Sequence, residues 1–341
     1  MGRKVLFIGV QPEEVRGILT EFRDARDAIL LRRNLREAKP DLSRKGTVSL
    51  VFTQPGYLRS SGGHTKFRRS QQPKTPPQTF WTNAPVPEII GKSAAIREIC
   101  RLIGRAVRTD LPVLCQGSIG VGKTLAAHAT HFYSRRSGLP LFMIDCASTY
   151  PALVESEIFG HVEGILAGSP CGNPGALAAA KGGSLILANI EALSKACQAR
   201  LFQALKTQKF SRTGSAKTLS INARVIATTR INLSKAVTRN EFLESLHRLL
   251  RKRSIPIPEL RRRKEDVPLL VRHFVKRHAR LNRRIHGVSE EAMLKIQEYD
   301  WPGNVRQLEN CIQQALIVET QNFIRASSLA LPENHKNPDL F

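Results

Sequence analysis

The run Gly117-Ser118-Ile119-Gly120-Val121-Gly122-Lys123-Thr124 fits the spacing G-x-x-x-x-G-K-[ST]. Glycines at those places let consecutive backbone N–H groups turn inward around phosphate oxygens, and a helix that follows adds the partial positive charge of its N-terminus. In such a loop the lysine ammonium reaches the β- and γ-phosphates, and the threonine hydroxyl can ligate magnesium. The motif needs a strand directly before it and a helix directly after. Both patterns are present: an apolar run ends at Cys115 or Gln116, and a helical stretch continues to about Tyr133. These eight residues are therefore expected to bind a nucleotide, with Thr124 as the metal ligand.

No second chemistry competes with the phosphate loop. Six cysteines (Cys100, Cys115, Cys146, Cys171, Cys197, Cys311) lie far apart, with no C-x-x-C pair and no His in ligand spacing. Neither a zinc site nor a redox motif is indicated, and reduced, mostly buried thiols are expected. At 341 residues the chain can form two or three compact units without disulfides or metals. Its 53 Lys+Arg against 28 Asp+Glu give +25, spread along the whole length. A field of that sign attracts nucleic acid, nucleotides or acidic protein surfaces without reading any sequence. The early apolar run from Val5 to Val10 is too short for a secretory core, and nothing reaches the length of a membrane span, so a cytoplasmic protein is expected.

The elements that must position the loop read as alternating strands and helices. Apolar runs at 112–116, 141–146, 184–190, 224–229 and 254–258, separated by helical stretches, predict an α/β fold with a five-stranded parallel sheet between helices. From Glu265 onward no strand pattern remains. Residues 267–281, 289–298 and 305–318 predict a helical lid, the last helix opened by Pro302, with Asn304 as N-cap and Gln307 completing a capping box. The expected division is an α/β nucleotide-binding subdomain over 86–258, a lid over 259–332 and a polar tail over 333–341.

Upstream, residues 4–9, 28–32 and 47–53 read as strands and 12–26 as an amphipathic helix, a small α/β unit over 1–56. It resembles the first half of a response-regulator receiver. A receiver carries acids after its first strand and an Asp at the end of its third; Gly9, Val10, Gln11, Phe52 and Thr53 stand there, so phosphorylation control is not expected. Residues 57–85 are rich in Ser, Gly, Gln, Pro and basic residues and read as a linker. Phe67, Phe80 and Trp81 interleave there with Lys66, Arg68, Arg69 and Lys74, which suits either a nucleic-acid stacking surface or, the preferred reading, a solvated tether that docks an aromatic or two on the next domain.

Segments around the loop resemble the AAA+ central domain of bacterial sigma-54-dependent transcription activators. They are Ile89-Ile90-Gly91-Lys92-Ser93, the loop itself, Glu155-Ser156-Glu157-Ile158-Phe159-Gly160-His161, Gly182-Gly183-Ser184-Leu185, Leu260-Arg261, Glu265-Asp266-Val267-Pro268-Leu269 and Trp301-Pro302-Gly303-Asn304-Val305-Arg306. The resemblance implies an AAA+ P-loop NTPase that works as a ring and pushes a surface loop against sigma-54 on RNA polymerase. It assigns nucleotide contact to Asp145 and to the lid sensor Arg306, beside the phosphate loop.

The departures from that pattern are specific. The magnesium-binding Asp and water-activating Glu are replaced by Ala188, which has no ligand atom, and Asn189, which is no base at ordinary pH. The restraining Asn is Asp145, a swap that could keep a hydrogen bond to Asn189 and leaves Asp145 as a candidate base. The two inter-subunit arginines fall at Leu243 and Leu249, with Arg248 adjacent; such a finger is worth on the order of 10³–10⁵ in rate. The sensor Asn is Arg230. The sigma-contacting loop reads Gly164-Ile165-Leu166-Ala167-Gly168-Ser169, without the usual aromatic ring and hydroxyl, so contact with sigma-54 in the usual way is not expected. No C-terminal helix-turn-helix is read after the lid.

Three functions follow. The favoured one is a pseudo-ATPase regulator of transcription that binds ATP or ADP, with weakened Mg²⁺, and acts through protein partners: a homo- or hetero-oligomer of AAA+ subunits, including an intact activator. The second is an active ATPase with relocated groups, Asp145 as base and Arg248 or Arg230 as finger. The third is a nucleic-acid-binding protein on an AAA+ scaffold, using the basic run Arg248, Arg251, Lys252, Arg253, Arg261, Arg262, Arg263 and Lys264. Without a reading helix its DNA contact would be non-specific and salt-dependent.

Overall fold

The structure is a computed structural model that describes residues 88–147, 150–165 and 172–331 in full, and the backbone of four further strands. Three of these lie in a first unit, Met1–Pro73. There β1 (Lys4–Ile8), β2 (Ala28–Arg32) and β3 (Leu50–Thr53) pair in parallel in the order β2-β1-β3. The helix predicted at 12–26 lies outside the described residues.

The second unit, Lys74–Phe341, is built on a six-stranded sheet. Its strands are β4 (Thr79–Trp81), β5 (Val113–Gln116), β6 (Leu141–Asp145), β7 (Ser184–Ala188), β10 (Arg224–Thr229) and β11 (Ser254–Pro256), in the order β11-β5-β10-β7-β6-β4. The five predicted strands are parallel. The sixth, β4, pairs antiparallel with β6, Thr79 opposite Met143 and Trp81 opposite Leu141. That corrects the linker reading at 79–81: the segment adds an edge strand, so its backbone rather than only an aromatic engages the domain. The basic residues and Phe67 of the same stretch lie outside the described residues.

Central strands buried on both faces explain the near-continuous apolar runs. Every residue of β7 and β10 is buried. Leu185, Leu187, Val225 and Ala227 face one layer, packed with Leu201 and Leu205 of a helix at Lys195–Thr207. Ile186, Ile226 and Cys115 face the other, against α1 (Ala94–Ala106) and α2 (Lys123–Phe132). A short antiparallel hairpin, β8 (Lys209–Ser211) with β9 (Thr218–Ser220), stands outside the sheet and was not legible, because three-residue strands leave no period to read.

The lid is helical, as expected, in α3 (Val267–Arg277), α4 (Glu290–Glu298) and α5 (Asn304–Val318). Its core closes on Trp301, 1% exposed, whose Nε1–H donates to the Ile296 carbonyl at 2.8 Å. Two expectations are corrected. A two-residue parallel pair, β12 (Gly287–Val288) with β13 (Phe323–Ile324), contradicts the absence of strands after Glu265. Asn304 is not the N-cap of α5; Gly303 is, and its N–H is taken by Gln307 Oε1 at 2.9 Å. Asn304 has left-handed backbone (φ 55°), and its amide is used elsewhere. No described helix is long and apolar enough to cross a membrane.

Candidate functional site

The phosphate loop leaves β5 at Gln116 and enters α2 at Lys123. Gly122 stands at the helix N-cap with φ 105°, a conformation an L side chain rarely adopts. Gly120 has φ 74°, and a Cβ there would collide with the Gly303 carbonyl oxygen, so lid backbone lies directly against the loop. Lys123 Nζ donates to the carbonyls of Gly117 (2.8 Å) and Ser118 (2.7 Å). Burial lowers its pKa, and the negative charge of Glu191 works against that shift.

Four contacts tie the loop to the lid and the hinge before it. Asn304 Nδ2 donates to the Ile119 carbonyl at 2.9 Å, while its Oδ1 accepts the Leu260 N–H at 2.8 Å. Arg306 N–H reaches the Gly120 carbonyl at 3.3 Å. Arg263 NH2 donates to the Val121 carbonyl at 3.0 Å. Ser118 Oγ donates to Glu259 Oε1 at 2.8 Å, which is the main reason the Glu259 carboxyl is held below the ordinary glutamate range. Nearby, the fully buried Asp266 accepts the N–H groups of Lys92 (2.7 Å) and Ser93 (2.8 Å) and the Ser93 hydroxyl (2.6 Å), pinning the entry to α1 onto the lid.

Between loop, sheet edge and lid lies a cleft of about 1010 Å³. Ile119, Gly120, Val121, Gly122, Lys123, Thr124, Asp145 and Arg306 of the predicted set line it. Gly117 and Ser118 do not; they receive Lys123 on their carbonyls instead. The apolar part of the wall is made by Ile89, Ile90, Leu270 and Phe274. A cleft with a polyanion cradle at one end and aliphatic and aromatic surface at the other suits a phosphorylated, ring-bearing ligand.

Ala188 and Asn189 line the same cleft, at the end of β7 opposite Asp145. Asn189 takes the left-handed conformation (φ 53°, ψ 51°) that Asn tolerates, and its Nδ2 donates to Asp145 Oδ1 at 2.8 Å. The same oxygen accepts the Ala147 N–H at 3.0 Å. The exchanged Asp/Asn pair is thus hydrogen-bonded.

At the two positions where the resemblance expects inter-subunit arginines, Leu243 and Leu249 pack on the core beneath them. Arg248 is exposed and ion-paired with Glu244 at 2.5 Å. The basic run is not one surface: Arg251, Lys252, Arg261 and Arg262 are exposed, but Arg263 is 4% exposed and Lys264 pairs with Asp300 at 3.0 Å. Of the loop at 164–169, Gly164 and Ile165 are described and the rest lies outside the described residues. Glu191 and Glu259 sit in no motif, and Asn304 reads in the sequence only as a helix cap within a family segment; only the folded chain brings the three to the loop. Cys115, Cys146, Cys197 and Cys311 are buried thiols, Cys115 pushed up to about 12 by burial, and Cys100 is exposed.

Residues 89–256 match the sigma-54 interaction domain, and residues 261–339 the AAA+ ATPase lid domain. The chain carries a sigma-54 interaction domain followed by an AAA+ lid domain. Among its relatives, the transcriptional regulatory protein ZraR of Salmonella typhimurium is 38% identical over 244 residues, 71% of this chain and 55% of that protein. The nitric oxide reductase transcription regulator NorR1 of Cupriavidus necator is 42% identical over 231 residues, 67% of this chain and 45% of that protein. The chain thus spans about half the length of the curated relatives it matches. A solved structure of NtrX from Brucella abortus in complex with ATP superposes with a TM-score of 0.66 at 21% identity, covering 100% of this chain and 88% of that one, a likeness of fold. Across these two domains, residues 119–124 of the phosphate loop and Arg306 line one cleft, while the end of β7 carries no acid at Ala188 or Asn189.

Proposed function

We propose that this protein is a nucleotide-binding regulator of transcription that holds ATP or ADP with little or no hydrolysis. Residues 117–124, Asp145 and Arg306 hold the nucleotide, with Thr124 as the remaining magnesium ligand. The bound state then acts through protein partners, a ring of its own kind or of intact AAA+ activators.

The observation that carries the reading is the end of β7. Water activation needs a base with a free lone pair of suitable pKa, and the side chain there is an amide already donating to Asp145. Asp145 is a poor substitute base, because Oδ1 already accepts two hydrogen bonds. Arg248, exposed and paired to Glu244 in its own helix, supports no shifted finger in this chain. These features weigh against an active ATPase with relocated groups. The split basic run weighs against a dedicated nucleic-acid face, leaving DNA contact non-specific. A subunit lacking fingers would silence the neighbouring site in a mixed ring, since fingers act on the adjacent subunit.

The test pairs two assays on one preparation. A fluorescent ATP analogue is expected to bind the full chain, and Lys123→Ala to weaken that binding at least about 100-fold by removing the central cation of the cradle. Phosphate release is expected to stay at the blank level, and adding this chain to an intact homologue to lower the homologue's turnover. Steady release that Asp145→Ala abolishes would make the protein an ATPase instead.

A further inference from the structure

Nucleoside triphosphate normally reaches a phosphate loop with magnesium, which demands near-octahedral oxygen ligands and is held by one or two carboxylates besides the phosphates. The end of β7 gives that ion no carboxylate. Ala188 offers no lone pair and Asn189 turns its amide nitrogen onto Asp145, which leaves the Thr124 hydroxyl as the ligand of the motif. Five cationic side chains nevertheless line the cleft (Lys123, Arg230, Arg263, Arg277, Arg306) against three carboxylates.

Two of those cations are engaged elsewhere, Arg263 with the Val121 carbonyl and Arg277 with Glu309 at 3.6 Å. Arg230 is placed differently. It follows the last residue of β10, the strand between the phosphate-loop strand and the one ending at Ala188. Its N–H is accepted by Glu191 Oε1 at 3.2 Å, and its Nε lies 3.6 Å from the same oxygen. The Glu191 side chain is 11% exposed, and its Oε2 is buried with no hydrogen-bond partner among the described residues. The acid therefore grips the root and the Nε edge of the guanidinium, which has five N–H donors in all. Arg230 itself is 58% exposed in the cleft, close enough to Lys123 for its charge to lower that lysine's proton affinity.

We propose that Arg230, positioned by Glu191, supplies at the terminal phosphate the positive charge that a metal-dependent site takes from magnesium, so that the cleft binds nucleoside triphosphate without the metal and prefers it to the diphosphate. A guanidinium is permanently charged, and its planar fork matches two phosphate oxygens. Arg230 lies beside the lysine that reaches the β- and γ-phosphates, the end where tri- and diphosphate differ. The inference rests on the nucleotide-binding reading above.

Fluorescent ATP and ADP analogues titrated into the full chain, with Mg²⁺ or with EDTA, separate the two. Wild type is expected to lose less than about threefold in triphosphate affinity on chelation, and Arg230→Gln at least about tenfold for triphosphate but under about threefold for diphosphate, as removal of one charge-assisted phosphate contact implies. Retained diphosphate binding shows that the variant is folded. Glu191→Gln should show a smaller loss of the same kind, because it loosens the arginine without removing it. Ala188→Asp adds a carboxylate beside the phosphates and is expected to make triphosphate binding depend on the metal. A loss of about tenfold or more on chelation in wild type, or an unchanged triphosphate-to-diphosphate ratio in Arg230→Gln, overturns the inference and leaves nucleotide binding standing. No binding in either condition overturns both.

Discussion

Single side chains decide how the stability of this fold responds to protons. His131, on α2 behind the phosphate loop, is buried against Ser184 Oγ of β7 at 2.9 Å, and burial, its largest cause, pushes its pKa down to about 4. The unfolded chain binds a proton at this residue from about pH 6.5 downward, whereas the folded chain resists until about 4. Stability from this group is thus full above the unfolded value and declines as pH falls through the window. Urea denaturation of wild type and His131→Gln between pH 7 and pH 4 is expected to show a steeper fall for wild type; parallel curves would remove the assignment. Asn304 makes a second prediction. Its amide joins Leu260 to Ile119 from a buried position, so Asn304→Ala leaves a buried N–H and a carbonyl unpaired and should cost about 1–3 kcal/mol in chemical denaturation. Nucleotide affinity should fall with it, since the loop loses its brace.

Between elements, the joint of lid and sheet carries the strongest demands. Asp266, at the start of α3, satisfies two backbone N–H groups and the Ser93 hydroxyl that in turn caps α1 by accepting the Ile96 N–H. Asp266→Ala should therefore destabilise the protein by about 3 kcal/mol, several buried donors being orphaned at once. Lys92, whose side chain makes none of these bonds, serves as the comparison: Lys92→Ala should stay within about 0.5 kcal/mol. Equal effects at both positions would contradict the pinning role. The strand and helix signals were legible here because the apolar runs of β7 and β10 need burial on both faces and the lid helices show one apolar stripe each. The β8–β9 hairpin, the β12–β13 pair and the edge strand β4 were not, because two or three residues carry no measurable period and gain their hydrogen bonds only from a neighbour distant in sequence.

For the molecule as a whole, the +25 charge acts at long range but reads nothing. Any duplex DNA retained at low salt is expected to be indifferent to sequence and to weaken by at least about tenfold between about 50 and 200 mM salt. An electrophoretic assay with two unrelated duplexes and a salt series checks this; a preference of about 100-fold for one duplex would point to a reading surface.

The phosphate loop, the five parallel strands and the helical lid were determined by sequence alone, because each depends on local spacing or apolar period; that Ala188 and Asn189 stand where acids are expected came from the family resemblance. What the tertiary structure decided is which distant groups meet: Glu191 with Arg230, Glu259 with Ser118, Asn304 with Ile119, and Arg263 withdrawn from a basic run into the interior. Those pairings join residues up to 185 positions apart, and a one-dimensional pattern holds no record of the distance between two charges until the chain has packed.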